Sequence, residues 1–128
     1  MSSILIIEDD APMREMLATA LTARGYTVSQ ASNGKLGIRQ FRANPTDLVL
    51  TDIMMPEQDG TQTVAELRRH FPKVGIIAMT GADMHATLYL KLAMKFGANQ
   101  ALEKPFSLPT LFQTIEQVFA EVGQDKPA

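Results

Sequence analysis

The chain alternates short runs of consecutive apolar residues with longer segments in which apolar residues recur at helical spacing. Ile4–Ile7 is the clearest of the short runs, and its composition is typical of a strand that is buried on both faces. The longer segments have one apolar stripe each, as helices that cover a sheet do. Five predicted strands alternating with five predicted helices indicate an α/β domain with a parallel sheet and right-handed crossovers.

Local signals place the predicted elements along the chain. The predicted strands cover 4–7, 26–28, 47–51, 74–79 and 101–102, and the predicted helices cover 12–24, 35–43, 62–70, 83–96 and 107–122. Asp10, Asp83 and Ser107 are candidate N-caps because their side chains can accept from the first turn of a helix. Gly25 and Gly97 follow helices where a helix C-terminus favours glycine. Pro56 and Gly60 predict a loop over 54–60.

Length and composition limit the class of protein. With 128 residues, 45% of them hydrophobic, the chain can bury one core, and we expect one domain over 1–122 and a polar, frayed tail over 123–128. The absence of cysteine excludes disulfides and thiolate-bound metals. A net charge of −2 disfavours direct binding to nucleic acid. No apolar run predicts a membrane span or a signal peptide, so we expect a soluble, cytoplasmic protein.

Polar residues stand where the predicted strands end. Glu8, Asp9 and Asp10 follow the first strand, and Asp52 follows the third. The fourth strand is followed by Thr80-Gly81 and the fifth by Lys104-Pro105. Because parallel α/β sheets bind ligands at the carboxyl ends of their strands, we expect these side chains to converge at one edge.

The chemistry of that edge indicates phosphate and a metal ion. Carboxylates that lie close together repel each other unless a cation separates them, and an all-oxygen ligand set favours Mg²⁺ or Mn²⁺. A carboxylate can also attack phosphorus and form an acyl phosphate. Lys104 can supply a positive charge to a phosphoryl group, Thr80 a hydrogen bond, and Gly81 steric room.

Four blocks of sequence resemble the receiver domain of two-component response regulators, of the single-domain, chemotaxis-regulator-like type. The blocks are Ile4–Asp10, Asp52–Gly60, Thr80-Gly81 and Lys104–Phe106, in the same order and each at a predicted strand end. The resemblance covers roughly residues 3–122. It implies a flavodoxin-like, doubly wound, five-stranded parallel sheet of order 2-1-3-4-5, flanked by five helices.

The resemblance also implies a role for each residue of the edge. Asp52 would be the phosphoacceptor, with Glu8 and Asp9 holding Mg²⁺. Met54 would add its backbone carbonyl to the metal site. Thr80 and Lys104 would bind the phosphoryl group, and Gly81 and Pro105, the latter after a cis peptide bond, would support them. Asp10 is better explained as the cap of the first helix than as a ligand.

This sequence departs from the family pattern at Ala101, where many members have an aromatic residue that moves together with the threonine. The usual coupling of hydroxyl and ring is therefore not expected, and backbone movement is the alternative. Met54 and Ala82 stand at the positions that tune the lifetime of the aspartyl phosphate, and neither can orient an attacking water. This predicts slow self-dephosphorylation.

The helix predicted over 83–96 is more apolar than one buried stripe requires. Leu90 and Met94 belong to this excess. A face formed by this helix, the strand 100–102 and the helix 107–122 is therefore a candidate surface for a downstream protein partner, as it is in many receivers. His70 and His85 are distant from the acidic residues in sequence and are interpreted as surface residues, not phosphodonors.

These features favour a stand-alone, non-enzymatic phospho-switch whose donor is a histidine kinase or a phosphotransfer protein. Two alternatives remain open: a phosphorelay intermediate that passes phosphate to a histidine, and a receiver fragment of a larger DNA-binding regulator. An aspartyl-nucleophile phosphatase is disfavoured because Met54 stands where those enzymes have an acid/base aspartate. A flavodoxin-like mononucleotide binder is disfavoured because residues 8–13 are acidic and lack a phosphate loop.

Overall fold

The computed structural model describes residues 2–53, 60–81 and 85–123, and five strands alternate with five helices along these ranges. The strands are β1 (Ser3–Ile7), β2 (Thr27–Ala31), β3 (Leu48–Asp52), β4 (Gly75–Thr80) and β5 (Gln100–Glu103). The helices are α1 (Ala11–Ala23), α2 (Gly34–Ala43), α3 (Gly60–His70), α4 (Ala86–Phe96) and α5 (Leu108–Glu121).

All pairings in the sheet are parallel, and the strand order is β2-β1-β3-β4-β5. Ile7 pairs with Thr51, Asp52 with Met79, and Thr80 with Glu103. The carboxyl ends of β1, β3, β4 and β5 therefore lie in register. The predicted fold class and strand order are confirmed.

The strands at the centre of the sheet divide the core into two clusters, one on each face. Alternate residues of β1, β3 and β4, such as Ile4 and Leu50, pack against α1 and α5. The residues between them, such as Leu5 and Val49, pack against α2, α3 and α4. This alternation explains why these strands are apolar throughout, since both of their faces are buried.

Capping residues fix the starts of three helices. The side chain of Asp10 accepts from the amide of Met13, and that of Ser107 accepts from the amide of Thr110. Both predicted caps are confirmed, and Asn33 caps α2 in the same way. Gly25 and Gly97 follow their helices with positive φ angles of 97° and 122°, a conformation that favours glycine.

Some predicted boundaries were wrong. β2 begins at Thr27 and continues to Ala31, whereas the strand was predicted over 26–28. α4 begins at Ala86, whereas the helix was predicted to start at 83; the predicted cap Asp83 lies outside the described residues. The predicted loop ends before Gly60, because this residue is the first of α3, and residues 54–59 lie outside the described ranges. The start of α3 lies so close to Ile53 that a Cβ at Gly60 would collide with the backbone of that residue. Glycine is therefore required at position 60.

The helices of the described ranges are too short or too polar to cross a membrane.

Candidate functional site

Four strands bring the predicted site residues to the carboxyl edge of the sheet. Glu8 follows β1, Asp52 is the last residue of β3, Thr80 is the last residue of β4, and Lys104 follows β5. Because these strands are parallel neighbours in the order β1-β3-β4-β5, the four side chains start from adjacent positions at one edge. The predicted convergence of these residues is therefore observed.

Three carboxylates form the centre of the site. Glu8, Asp9 and Asp52 each offer one oxygen, and these three oxygens lie within 4.8 Å of one another. Glu8 is fully buried and Asp52 is 4% exposed, whereas Asp9 is exposed. The site is thus a buried acidic pair with a third carboxylate at its solvent side.

Lys104 connects the two buried carboxylates. Its Nζ donates to Oε1 of Glu8 at 2.5 Å and to Oδ2 of Asp52 at 3.2 Å. Its backbone N–H donates to the carbonyl of Thr80 at 2.7 Å, which joins the ends of β4 and β5. The peptide bond from Lys104 to Pro105 is cis, as the resemblance implied.

Burial changes the titration of this group. The pKa of Glu8 is raised to about 7, chiefly because burial desolvates its carboxylate; the hydrogen bond from Lys104 lowers this pKa, and the neighbouring Asp52 raises it. Burial alone would lower the pKa of Lys104, but the hydrogen bond to Glu8 and the charge of Asp52 outweigh it and leave this pKa above its ordinary value. A second cation between the carboxylates would favour their ionised forms.

Thr80 holds a buried hydroxyl at the end of β4. Within the described part of the chain, Oγ1 of Thr80 has no hydrogen-bond partner, although the residue is fully buried. Buried hydroxyls are normally paired, because an unpaired one costs about 1–3 kcal/mol. This hydroxyl can therefore bind an additional acceptor such as a phosphoryl oxygen.

The donor set fits a hard divalent cation. Three carboxylate oxygens that lie within 4.8 Å of one another suit Mg²⁺ or Mn²⁺, which prefer oxygen ligands and retain several waters. The exposed position of Asp9 leaves the solvent side open for such waters. Met54, whose carbonyl the resemblance adds to this ligand set, lies outside the described residues.

The structure describes the surroundings of two further positions that the sequence singled out, Gly81 and Ala101. A Cβ added at Gly81 would meet no atom of the described residues within 4 Å, so these residues leave space next to Thr80. Ala101 is half-buried, pairs with Ala78 of β4 and packs against the core cluster under α4. Ala82 lies outside the described residues.

The solvent-facing side of α4 carries large apolar side chains. Leu88, Met94 and Phe96 are 54%, 45% and 44% exposed, and Leu90 is half-buried. Among the residues predicted to form a partner surface, Met94 is therefore more accessible than Leu90. His70 and His85 are exposed, as predicted.

Sequence reasoning missed Arg14. This residue lies in the second turn of α1, and its Nη1 donates to the backbone carbonyl of Glu8 at 2.8 Å. Its partner is a backbone carbonyl, and sequence spacing does not indicate such a contact.

Comparisons with known proteins agree with this geometry. Residues 4–116 match the response regulator receiver domain family. The chain is 36% identical over 109 residues to the regulatory protein AtoC of Escherichia coli, which covers 84% of this chain and 23% of AtoC. It is 35% identical to the sensor kinase CckA of Brucella abortus, over 91% of this chain and 12% of CckA. It is 32% identical to the transcriptional regulatory protein RprY of Bacteroides fragilis, over 96% of this chain and 51% of RprY. The chain thus spans about half or less of these relatives.

Solved structures show the same architecture. A response regulator receiver domain protein from Clostridium thermocellum superposes with a TM-score of 0.87 at 29% identity, covering 94% of this chain and 96% of that one. A CheY-like receiver domain protein from Methanospirillum hungatei gives a TM-score of 0.87 at 24% identity, over 96% and 97% of the two chains, and supports the fold. The chain belongs to the response regulator receiver domain family, whose members are phosphoacceptor signalling domains of two-component systems that bind Mg²⁺ at an acidic pocket.

Proposed function

We propose that Asp52 accepts a phosphoryl group from a histidine kinase or a phosphotransfer protein, and that the modified chain changes its affinity for a protein partner. The observation that carries this proposal is the environment of the Asp52 carboxylate. Two further carboxylates, the ammonium group of Lys104 and a Thr80 hydroxyl that no described residue binds lie at the same edge of the sheet. Such a set can align a phosphoryl group and balance its charge.

The transfer forms one bond and breaks one bond. A carboxylate oxygen of Asp52 attacks the phosphorus of a phosphohistidine, an O–P bond forms, and the N–P bond to the imidazole breaks. The electron pair of that bond stays on the imidazole nitrogen, which takes a proton from solvent. The donor is thereby released as neutral histidine and Asp52 becomes an acyl phosphate.

Glu8, Asp9 and Asp52 would hold the divalent cation, and the carbonyl of Met54 would complete the protein ligands. When bound, Mg²⁺ supplies positive charge between these carboxylates and the incoming phosphoryl oxygens. The burial of Glu8 and Asp52 favours this role, because electrostatic interactions are stronger where water is excluded.

Lys104 and Thr80 would bind the phosphoryl oxygens. Lys104 is already held beside Asp52, so its ammonium group needs little movement to pair with the added charge. The Thr80 hydroxyl would gain an acceptor, which none of the residues in 2–53, 60–81 and 85–123 provides. Gly81 leaves the space that the phosphoryl group requires.

Signal output would proceed through the backbone of β4 and β5. Thr80 pairs with Glu103, and the amide of Lys104 donates to the Thr80 carbonyl, so a shift of Thr80 is transmitted to β5. Ala101 offers no aromatic ring to relay this shift. The exposed apolar face of α4, together with β5 and α5, is the surface that we assign to the downstream partner.

Residues 1–122 would carry this role as a stand-alone receiver, with the phosphoryl chemistry between Glu8 and Lys104 and the partner surface reaching into α5. The absence of an acidic or amide side chain at Met54 and Ala82 would make self-dephosphorylation slow. A cytoplasmic location follows from the need for a kinase and Mg²⁺. The relatives named as regulatory proteins are longer than the match, so nucleic-acid binding by a whole protein is compatible with this role.

The proposal is tested by intact-protein mass spectrometry after incubation with acetyl phosphate. We expect addition of one phosphoryl group in the presence of Mg²⁺ and none after chelation. Asp52→Asn and Asp9→Ala should both abolish labelling while far-UV circular dichroism shows a folded chain. Glu15→Gln is the matched control, because it removes an exposed carboxylate of α1 outside the site and should label normally.

Full labelling of Asp52→Asn would overturn the phosphoacceptor assignment, and full labelling of Asp9→Ala would overturn the metal assignment. Incubation of the labelled chain with a histidine-containing phosphotransfer protein then separates a terminal switch from a relay. Transfer of the phosphate to that protein would identify the chain as a phosphorelay intermediate.

A further inference from the structure

Glu8 is held by hydrogen bonds to its backbone and to both of its carboxylate oxygens. Its amide donates to the carbonyl of Ala31 at 3.1 Å, and its own carbonyl accepts from Nη1 of Arg14 at 2.8 Å. Its Oε2 accepts from the amide of Asp10 at 3.4 Å, and its Oε1 accepts from Lys104 at 2.5 Å. Of these partners, Arg14 is the one side chain that fixes the backbone of Glu8 and not its carboxylate.

Arg14 also contacts Asp10, the last residue of the segment between β1 and α1. The backbone amide of Arg14 donates to the carbonyl of Asp10 at 2.9 Å, in the turn that the Asp10 side chain caps. The same residue therefore ties Asp10 through its backbone and Glu8 through its side chain. Asp9 lies between these two anchored residues, and no other residue of α1 is bonded to the Glu8 carbonyl in the described ranges.

The two effects of Arg14 on a bound cation have opposite signs. Its guanidinium is a half-buried positive charge beside the acidic group, and charge alone would repel a divalent cation. Its hydrogen bond keeps the backbone of Glu8 fixed, and this favours an arrangement in which carboxylates already lie in place for a metal. The measured sign of its contribution therefore shows which effect dominates.

We propose that Arg14 is a positioning residue of the metal site, and that its hydrogen bond to the Glu8 carbonyl strengthens divalent-cation binding despite its positive charge. The inference rests on the proposed function, since it takes Glu8, Asp9 and Asp52 as the cation ligands. Arg14 itself donates hydrogen bonds and does not touch the cation, so it acts through Glu8.

The test is the affinity for Mn²⁺, measured by electron paramagnetic resonance on the unphosphorylated full chain. We expect Arg14→Met to weaken binding about tenfold, at the low end of the effect that residues supporting metal ligands usually have. Arg14→Lys keeps the charge and one donor and should recover part of the affinity. Arg39→Ala removes an exposed arginine of α2 and should leave the affinity unchanged.

Equal or tighter Mn²⁺ binding by Arg14→Met would overturn the inference, because the hydrogen bond would then give no net gain over charge repulsion. Methionine keeps much of the apolar stem of arginine, and thermal unfolding by circular dichroism checks that the variant is folded. If it is not, the decision passes to Arg14→Lys, which must bind Mn²⁺ more weakly than the unsubstituted chain. If the unsubstituted chain itself binds no Mn²⁺, the metal assignment of the proposed function fails as well.

Labelling by acetyl phosphate gives a second readout that a merely structural defect would not reproduce. Arg14→Met should raise the Mg²⁺ concentration for half-maximal labelling about tenfold and leave the labelling rate at saturating Mg²⁺ unchanged. A lower rate at saturating Mg²⁺ with an unchanged half-maximal concentration would contradict a positioning role toward the metal.

Discussion

Thr80 buries a hydroxyl that has no acceptor within the described ranges, and this has a consequence for stability. Valine has nearly the same shape and no hydroxyl. We therefore expect Thr80→Val to raise the free energy of unfolding of the unphosphorylated chain by about 1 kcal/mol, because an unpaired buried hydroxyl is removed. Urea unfolding followed by far-UV circular dichroism measures this change.

The same substitution should remove the response of a partner to phosphorylation, since the hydroxyl is the group that we assign to the phosphoryl oxygen. Thr80→Ser is the matched control, because it keeps the hydroxyl and deletes a methyl group. A Thr80→Val chain that is less stable than the unsubstituted protein would show that the hydroxyl is already satisfied.

Lys104 is the cation that separates two buried carboxylates in the metal-free chain. Its ammonium group contacts both Glu8 and Asp52, whose side chains are 0% and 6% exposed. We expect Lys104→Ala to lower the free energy of unfolding by about 3 kcal/mol, because the two buried carboxylates lose the ammonium group that separates them. Chemical unfolding at neutral pH, in the presence of a chelator, measures this loss.

Mg²⁺ should recover part of that loss, because a bound cation can separate the same carboxylates. Lys73→Ala is a suitable control, since Lys73 is exposed in the turn before β4. A Lys104→Ala chain that is as stable as the unsubstituted protein in chelator would contradict the structural importance of this ion pair.

Between elements, Arg68 holds the ends of α3 and α4 together at the edge of the sheet opposite the acidic site. It donates to the carbonyls of Gly97 at 3.0 Å and Pro72 at 2.7 Å, and to Oδ1 of Asn99 at 2.8 Å. Asn99 Oδ1 also accepts from the amide of Ile76 in β4 at 2.8 Å. The network thus joins α3, β4 and the turn between α4 and β5.

We expect Arg68→Ala to lower the free energy of unfolding by about 1–3 kcal/mol, since hydrogen bonds from a charged donor are among the stronger ones. The loss should be accompanied by faster amide exchange in the turn after α4, measured by mass spectrometry. Arg69→Ala removes the neighbouring, exposed arginine and should change neither quantity. Equal effects of the two substitutions would contradict this role for Arg68.

The elements themselves could be predicted from sequence where burial determined the residue types. β1 and β3 could be predicted from their apolar runs, because both of their faces are covered. Asp10 and Ser107 could be predicted as caps, because their side chains form hydrogen bonds with residues close in sequence. β2 was placed too early and made too short, because this edge strand buries little beyond Ala31 and carries polar residues. The start of α4 was placed three residues too early, since the capping rule favoured Asp83.

The site could be predicted for a topological reason. Parallel neighbouring strands bring their carboxyl ends to one edge, so the residues after each apolar run were sufficient to place Glu8, Asp52, Thr80 and Lys104 together. Arg14 and Arg68 could not be found in this way. Their partners are backbone carbonyls and a distant amide side chain, and these contacts depend on side-chain direction and not on sequence spacing.

At the scale of the whole molecule, the two core clusters share the same strands. Neighbouring residues such as Ile4 and Leu5 belong to opposite clusters, so neither cluster can be lost without disrupting β1. We therefore expect a single cooperative unfolding transition. Far-UV circular dichroism and hydrogen exchange of peptides from α1 and from α3 should report the same midpoint in urea.

Separate midpoints for α1 and α3 would contradict this prediction, because the two faces would then be unfolding as independent units. The acidic site depends on the same cooperativity. Its residues lie at the carboxyl ends of β1, β3, β4 and β5 or directly after them, and no single element holds the complete set.

The central claim is that Asp52 is the residue that carries the phosphoryl group. Borohydride reduces an aspartyl phosphate to homoserine, so it marks the acceptor permanently in the chain. After labelling with acetyl phosphate and Mg²⁺, reduction and peptide mapping by mass spectrometry, we predict homoserine at position 52 and none when Mg²⁺ is chelated. Homoserine at Asp9 or at any other position, with residue 52 unchanged, would contradict the claim.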